Sequence, residues 1–206
     1  MEATEAAGGI VLTSSIDPAF GIQIVRHVEL VPGEPVMRIR TEFHKLAGSH
    51  VTVAVWTITE MPEPERIGIL LPEESQLADG YIRLMGPEPA GFKFENGVLS
   101  LIRHDRELVK IGSDGASMVW VGRNSVVRID AQQGPGEYPD GGCVTQVYTN
   151  PDPQNYVELE TMGPLVTMRE GDIIERTTAY RVTPRSKPDS QADAIQALWR
   201  QHFQGC

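Results

Sequence analysis

The chain has little with which to staple itself together: 206 residues contain two cysteines, Cys143 and Cys206. Cys143 is expected inside a strand and Cys206 is the last residue, and two such distant thiols give no disulfide framework and no Cys pair at metal-ligand spacing. Basic charge is also scarce. Eighteen Lys and Arg face 28 Asp and Glu, a formal net charge of −10, which opposes non-specific attraction to nucleic acid or to anionic lipid. No apolar run approaches the roughly 20 residues of a membrane-spanning helix, and the longest stretch, 50–58, is interrupted by threonines. The start, MEATEAAGG, lacks the basic region and apolar core of a secretory signal. The expected location is cytoplasmic, with periplasm or secretion open if a signal segment has been removed. Phosphate-cradling GxGxxG and GxxxxGK loops are missing, as are a Gly-x-Ser-x-Gly elbow and EF-hand spacing. These absences predict no cofactor, no metal site, no nucleic-acid partner and no membrane association. A neutral polar small molecule is the ligand that the charge balance favours.

Helical periodicity is scarce too. Short alternating or apolar runs recur between clusters of Gly, Pro, Asn and Asp, the pattern of an all-β antiparallel sandwich or barrel. Strands are expected at 10–13, 21–30, 35–43, 51–59, 67–70, 81–85, 98–103, 108–111, 118–121, 125–130, 144–148, 156–161 and 173–182. Pro32-Gly33 and the run Arg169-Glu170-Gly171-Asp172 read as turns between long strands. The proline- and glutamate-rich stretch 61–90 reads as a long surface excursion. After Pro188 the period changes: Ala192, Ile195, Leu198, Trp199 and Phe203 recur at helical spacing. The expected organisation is a flexible N-terminus at 1–9, one β-sandwich domain at 10–184, and a helical tail at 185–206.

One strand stands out chemically. In YVELET, Tyr156, Glu158 and Glu160 alternate with Val157, Leu159 and Thr161, so the two carboxylates share a face. Like charges so placed must meet water, a cation or a polar ligand; the bland alternative is the wet face of an antiparallel sheet. Arg38, Arg40 and Glu42 likewise alternate with Met37, Ile39 and Phe43. Guanidinium groups suit carboxylates, phosphates and vicinal hydroxyls, although cross-strand pairing on a solvated face accounts for them equally. Trp56 has an apolar face on which a sugar ring could rest, or it belongs to the core. Tyr148, Arg176 and Tyr180 lie on strands near the glutamates. His27, His44, His104 and His202 have no spacing that commits them to a metal or a triad.

The run QVYTNPDPQNYVELETMGP, followed by LVTMREGDIIERTTAYRV, resembles the C-terminal part of the galactose mutarotase-like supersandwich, the fold of aldose 1-epimerases. Tyr148-Thr149-Asn150, the glutamate-bearing strand, Gly163-Pro164, Gly171 and the final long strand carry the likeness. SSIDPAFGIQIVRHVELVPGEPVMRIRTEFHKLAGSHVTVAVWTITEM is similar to the paired long strands and Trp-bearing strand of a bacterial branch of that family. The resemblance implies a sugar ligand and a glutamate base. Glu160 fits the base of the galactose-type enzymes, and Glu158 that of the hexose-6-phosphate type. Two departures accompany it: the chain looks shortened by the family's first strands, and Trp56 stands near the place of the family's acid histidine.

Moving a sugar between anomers needs a base on the C1 hydroxyl and an acid at the ring oxygen. With no acid assigned, the first expectation is a carbohydrate-binding domain with Glu158, Glu160, Arg38, Arg40, Trp56, Tyr148 and Arg176 at its site. The second is an aldose 1-epimerase or related carbohydrate-active enzyme with a glutamate base. The third is a structural β-domain that assembles, for example as a homodimer, through exposed sheet edges.

Overall fold

The computed structural model describes residues 1–185. The strands in chain order are β1 (Glu2–Ala6), β2 (Gly9–Thr13), β3 (Ile22–Leu30), β4 (Val36–Lys45), β5 (Val51–Val53) and β6 (Trp56–Pro62). There follow β7 (Arg66–Leu70), β8 (Ile82–Met85), β9 (Lys93–Glu95), β10 (Val98–Leu101), β11 (Val109–Ser113) and β12 (Ser117–Val121). The last five are β13 (Ser125–Ala131), β14 (Thr145–Thr149), β15 (Tyr156–Met162), β16 (Val166–Met168) and β17 (Ile173–Pro184). Every strand pairing is antiparallel.

A ten-stranded sheet runs β1-β2-β3-β4-β17-β13-β12-β7-β10-β9, and a five-stranded sheet runs β6-β15-β14-β11-β8. Strands β5 and β16 form a separate ribbon. The two large sheets pack face to face because alternate residues of both are apolar. Ile67, Ile69, Leu99, Leu101, Met118, Trp120 and Ile129 of the larger sheet meet Val109, Ile111, Val147, Val157 and Leu159 of the smaller one. Each such side chain contributes roughly 1.5–3 kcal/mol on leaving water. The all-β antiparallel sandwich expected from the sequence is the observed architecture.

Four local expectations need correction. Residues 2–6, taken as part of a flexible start, form β1, which pairs with β2 from Glu2 and Thr13 to Ala6 and Gly9. All five β1 residues are exposed, so its sequence shows no buried face to read. The single run expected at 51–59 is two strands in different sheets; the chain switches at Ala54-Val55, where Val55 is buried and its carbonyl accepts from the Gly163 N–H at 2.9 Å. The alternation VTVAVWTIT continues through this switch and so hides it. Stretch 61–90 is not one surface excursion, because β7 lies between β12 and β10 with Ile67 and Ile69 wholly buried. Cys143, expected within a strand, precedes β14 and closes a turn, its N–H donating to the Pro139 carbonyl at 3.0 Å. The helix expected at 185–206 lies outside the described residues, apart from Arg185. Among the described residues no helix is long and apolar enough to cross a membrane.

Candidate functional site

Register decides which side chains meet. Antiparallel partners share a face, so Glu160 lies between Ile58 on β6 and Gln146 on β14. Glu158 lies between Glu60 and Tyr148, which is followed across the sheet by Lys110 on β11. Val157 and Leu159, the residues in between, point into the core. The two glutamates therefore share the outer face of the five-stranded sheet, as their spacing requires.

Glu160 is 0% exposed. A buried carboxylate needs strong partners, and two are present. The Trp56 indole N–H donates to Oε2 at 2.8 Å, and Lys110 Nζ donates to the same oxygen at 3.0 Å. Nζ lies as close to Oε1, at 3.0 Å, so the ammonium group bridges both carboxylate oxygens. The neighbouring Gln146 donates through Nε2 to Asp140 Oδ2 at 2.5 Å, while its own buried Oε1 has no partner.

Asp140 belongs to the turn Pro139–Gly142, where it has φ +52° and Gly141 has φ +78°. A left-handed aspartate is uncommon, and here the conformation brings its carboxylate to the Gln146 amide. Cys143 packs behind this turn against Gly112 of β11, where any side chain would collide with its sulfur. Burial, then the nearby Asp140 and Asp114 carboxylates, push the Cys143 thiol up to about 11, so it is no nucleophile at neutral pH.

Trp56, Lys110 and Asp140 line a cavity of about 480 Å³. Its remaining wall is largely apolar: Phe20, Ile22 and Ile24 from the approach to and start of β3, Phe43 of β4, and Met162 and Leu165. Trp56 stays 49% exposed although its N–H is tied to Glu160. Lys110 Nζ lies 5.3 Å from its ring centroid, within range of a cation–π contact. The tryptophan is thus an edge-anchored plate at the rim of a concave space.

Glu158 has a different environment. Burial, then repulsion from Glu160 and Glu60, raise its carboxyl above the ordinary 4.5, with Lys110 and a hydrogen bond from Tyr156 opposing. Opposite it, the Tyr148 hydroxyl donates to Asn150 Oδ1 at 2.7 Å; burial, then the Glu158 charge, push that phenol up.

The other expected site residues lie elsewhere. Arg38 and Arg40 share a face of β4 with neighbours Ala179 and Thr177 of β17, whereas Thr178 faces inward to Thr161 of β15 at 3.3 Å. The two arginines are therefore on the outer face of the ten-stranded sheet, away from the glutamates. They line a groove of about 690 Å³ with His27, Glu29, Asp130 and Gln132. Its charges are spent on one another. Arg40 pairs with Glu42 and, at 3.1 Å, with Glu175, and Arg38 lies 3.9 Å from Glu29. Arg176 is buried on the inner face of β17, with its guanidinium 5.9 Å from the Tyr138 ring centroid and Nε and Nη2 unbonded. Burial lowers its affinity for a proton, opposed by the Tyr138 hydroxyl. Sequence reasoning missed Lys110, Gln146 and Asp140. The available signals were a lone lysine in the apolar run LVKIGS and an aspartate beside two glycines.

No protein-family profile matches the chain, and no curated protein sequence does. Solved structures do match. A proposed aldose 1-epimerase of Escherichia coli K12 superposes with a TM-score of 0.60 at 9% identity, over 89% of this chain and 68% of that one. A galactose mutarotase-like protein of Lactobacillus casei gives 0.58 at 10% identity, over 88% and 72%. A proposed mutarotase of Salmonella typhimurium gives 0.50 at 15% identity, over 89% and 64%. With sequences so divergent and backbones so alike, what is shared is architecture, and this chain has the galactose mutarotase-like β-sandwich fold.

Proposed function

We propose that the protein binds a carbohydrate on the outer face of its five-stranded sheet, in the cavity bordered by Trp56, Lys110 and Asp140. One observation supports this reading above the others: Trp56 is half open while its indole edge is fixed by the buried Glu160. A pyranose offers an apolar face of C–H groups and an equatorial rim of hydroxyls. The indole meets the first; Lys110 and the Asp140 carboxylate meet the second as donor and acceptor. Lys110 is already neutralised by Glu160, and Glu158 and Asp140 add negative charge, so neutral sugars are favoured over uronic acids. The fold shared with the mutarotase-like proteins agrees with a sugar ligand.

An aldose 1-epimerase is the second reading, favoured by the raised pKa of Glu158. A carboxyl moved up from 4.5 exchanges protons closer to neutrality, as a general acid or base must. Glu160 is the less suitable base, because its carboxylate is fully buried and a substrate hydroxyl does not reach it.

Saturation-transfer NMR against neutral hexoses and uronic acids, with anomeric exchange followed in the same tubes, separates these readings. Contact signals to hexoses, lost in Trp56→Ala and without accelerated exchange, support binding alone. Exchange faster than buffer and abolished by Glu158→Gln establishes the epimerase. Silence across the panel overturns the sugar site.

A further inference from the structure

The cavity is divided chemically, and the division defines a class of ligand. Its polar end holds Lys110, the Asp140 carboxylate and the indole of Trp56. The rest of its lining is mostly apolar, with a wall of Phe20, Ile22, Ile24 and Phe43 beside Met162 and Leu165; its polar members there, Asp17 and Thr52, are engaged by the backbone N–H groups of Ala19 and Phe20 and by the Thr167 hydroxyl. At about 480 Å³ the space is in the size range of sites that enclose drug-sized ligands. A free hexose carries hydroxyls around its whole rim. Set on Trp56, it would turn some of them towards a wall with no side-chain hydrogen-bonding group among those four residues, and each hydroxyl so desolvated costs binding energy. The wall is also incompletely covered. Phe20 is 50% exposed, an aromatic held towards the cavity by a turn in which Asp17 Oδ1 accepts from the backbone N–H groups of Ala19 and Phe20 at 2.8 and 3.0 Å.

From this asymmetry we infer that the ligand is a glycoside bearing an apolar aglycone, an alkyl or aryl group, with the sugar at Trp56, Lys110 and Asp140 and the aglycone on the Phe20–Ile24–Phe43 wall. The inference rests on the sugar-site reading and extends it from a monosaccharide to an amphiphilic conjugate. The pinned turn fixes the Phe20 backbone before the ligand arrives, so no loop ordering is needed there on binding.

The test is isothermal titration of the full chain with methyl and hexyl β-D-galactopyranoside, with the corresponding glucosides, and with hexyl tri(ethylene glycol), which has the chain without the ring. The hexyl glycoside of the preferred sugar should bind at least tenfold tighter than its methyl counterpart, the factor supplied by burying roughly two methylene groups. Phe20→Ser should reduce that ratio at least threefold; because Phe20 is half exposed, the fold survives the change, which a thermal melt verifies. Equal affinity for methyl and hexyl glycosides overturns the aglycone inference and leaves the sugar site standing. Hexyl tri(ethylene glycol) binding as tightly as the hexyl glycoside overturns the sugar site itself, as does failure of every glycoside to bind.

Discussion

The indole N–H of Trp56 reaches the carboxylate of Glu160 diagonally across two strands, at 2.8 Å. In register Trp56 opposes Met162 and Glu160 opposes Ile58, so the bond crosses one pair step of the β6–β15 ladder. It couples the most buried charge of the site to a half-exposed aromatic. The orientation of the plate that a ligand would meet is therefore fixed from beneath the surface by Glu160.

Trp56→Phe tests that coupling. Phenylalanine keeps an aromatic face but has no donor, so Glu160 retains Lys110 alone. Loss of a hydrogen bond to a charged acceptor is expected to lower stability by about 1–2 kcal/mol, read as a shifted urea midpoint. Sugar binding should weaken more than stability predicts, because the ring is no longer held edge-on. An unchanged urea midpoint would mean that the indole bond contributes nothing to the buried glutamate.

The Lys110–Glu160 pair should behave as a unit. Glu160 is fully buried and the Lys110 side chain is only 16% exposed, so Lys110→Met leaves a charge without its counter-ion and should cost roughly 3 kcal/mol. Glu160→Gln in the same background removes that charge and should recover more than half of the loss. Urea unfolding of the wild type, both single variants and the double variant gives the coupling directly. Simple additivity would contradict the pairing.

Period-two alternation made β15 legible in the sequence: charged residues at 158 and 160 between Val157, Leu159 and Thr161 leave one assignment of faces. The same pattern showed that Arg38, Arg40 and Glu42 share a face. It did not show which sheet, because alternation gives the side of a strand and says nothing of its neighbours. Lys110 stayed hidden for that reason. In VKI it reads as an ordinary outward residue, and its partner lies 50 positions away and two strands across the sheet. Asp140, beside Gly141 and Gly142, has the sequence surroundings of a turn; its link to the site depends on Gln146, which β14 brings to it. The break between β5 and β6 was invisible because both halves continue one alternation while joining different sheets.

On the opposite sheet, Glu42 is the hub of a charged cluster. Burial pulls its carboxyl up, but the hydrogen bond from His44 at 2.7 Å and the charges of Arg40, His27 and His44 prevail and hold it below the ordinary 4.5. A depressed folded value gives stability that is present above 4.5 and lost as pH falls through the folded value. Glu42→Gln should therefore destabilise by about 2 kcal/mol at neutral pH, with the deficit shrinking as acid protonates the wild-type carboxylate. Urea midpoints between pH 7 and pH 3 follow it. A deficit that stays constant over that range would show that the charge is not what the cluster uses.

Glu158 has the reverse sign. Burial first, then Glu160 and the directly opposed Glu60, raise its folded value above 4.5, so the folded state holds the proton longer than the unfolded chain does. Below 4.5 both states are protonated and the wild type should match Glu158→Gln. As pH rises through the window between 4.5 and the raised folded value, the wild type ionises at a cost that glutamine never meets. The variant should then be the more stable protein at neutral pH, by about 0.5 kcal/mol, the scale of like charges opposed across a strand pair. Glu60→Gln should give a similar gain by removing the opposing charge, and the double variant should gain less than the sum, because either change alone relieves the same repulsion. A glutamine variant less stable than wild type at neutral pH would mean that Lys110 and Tyr156, which favour the Glu158 carboxylate, outweigh burial and its two acidic neighbours. The proton-exchange property that favours the epimerase reading would fall with it.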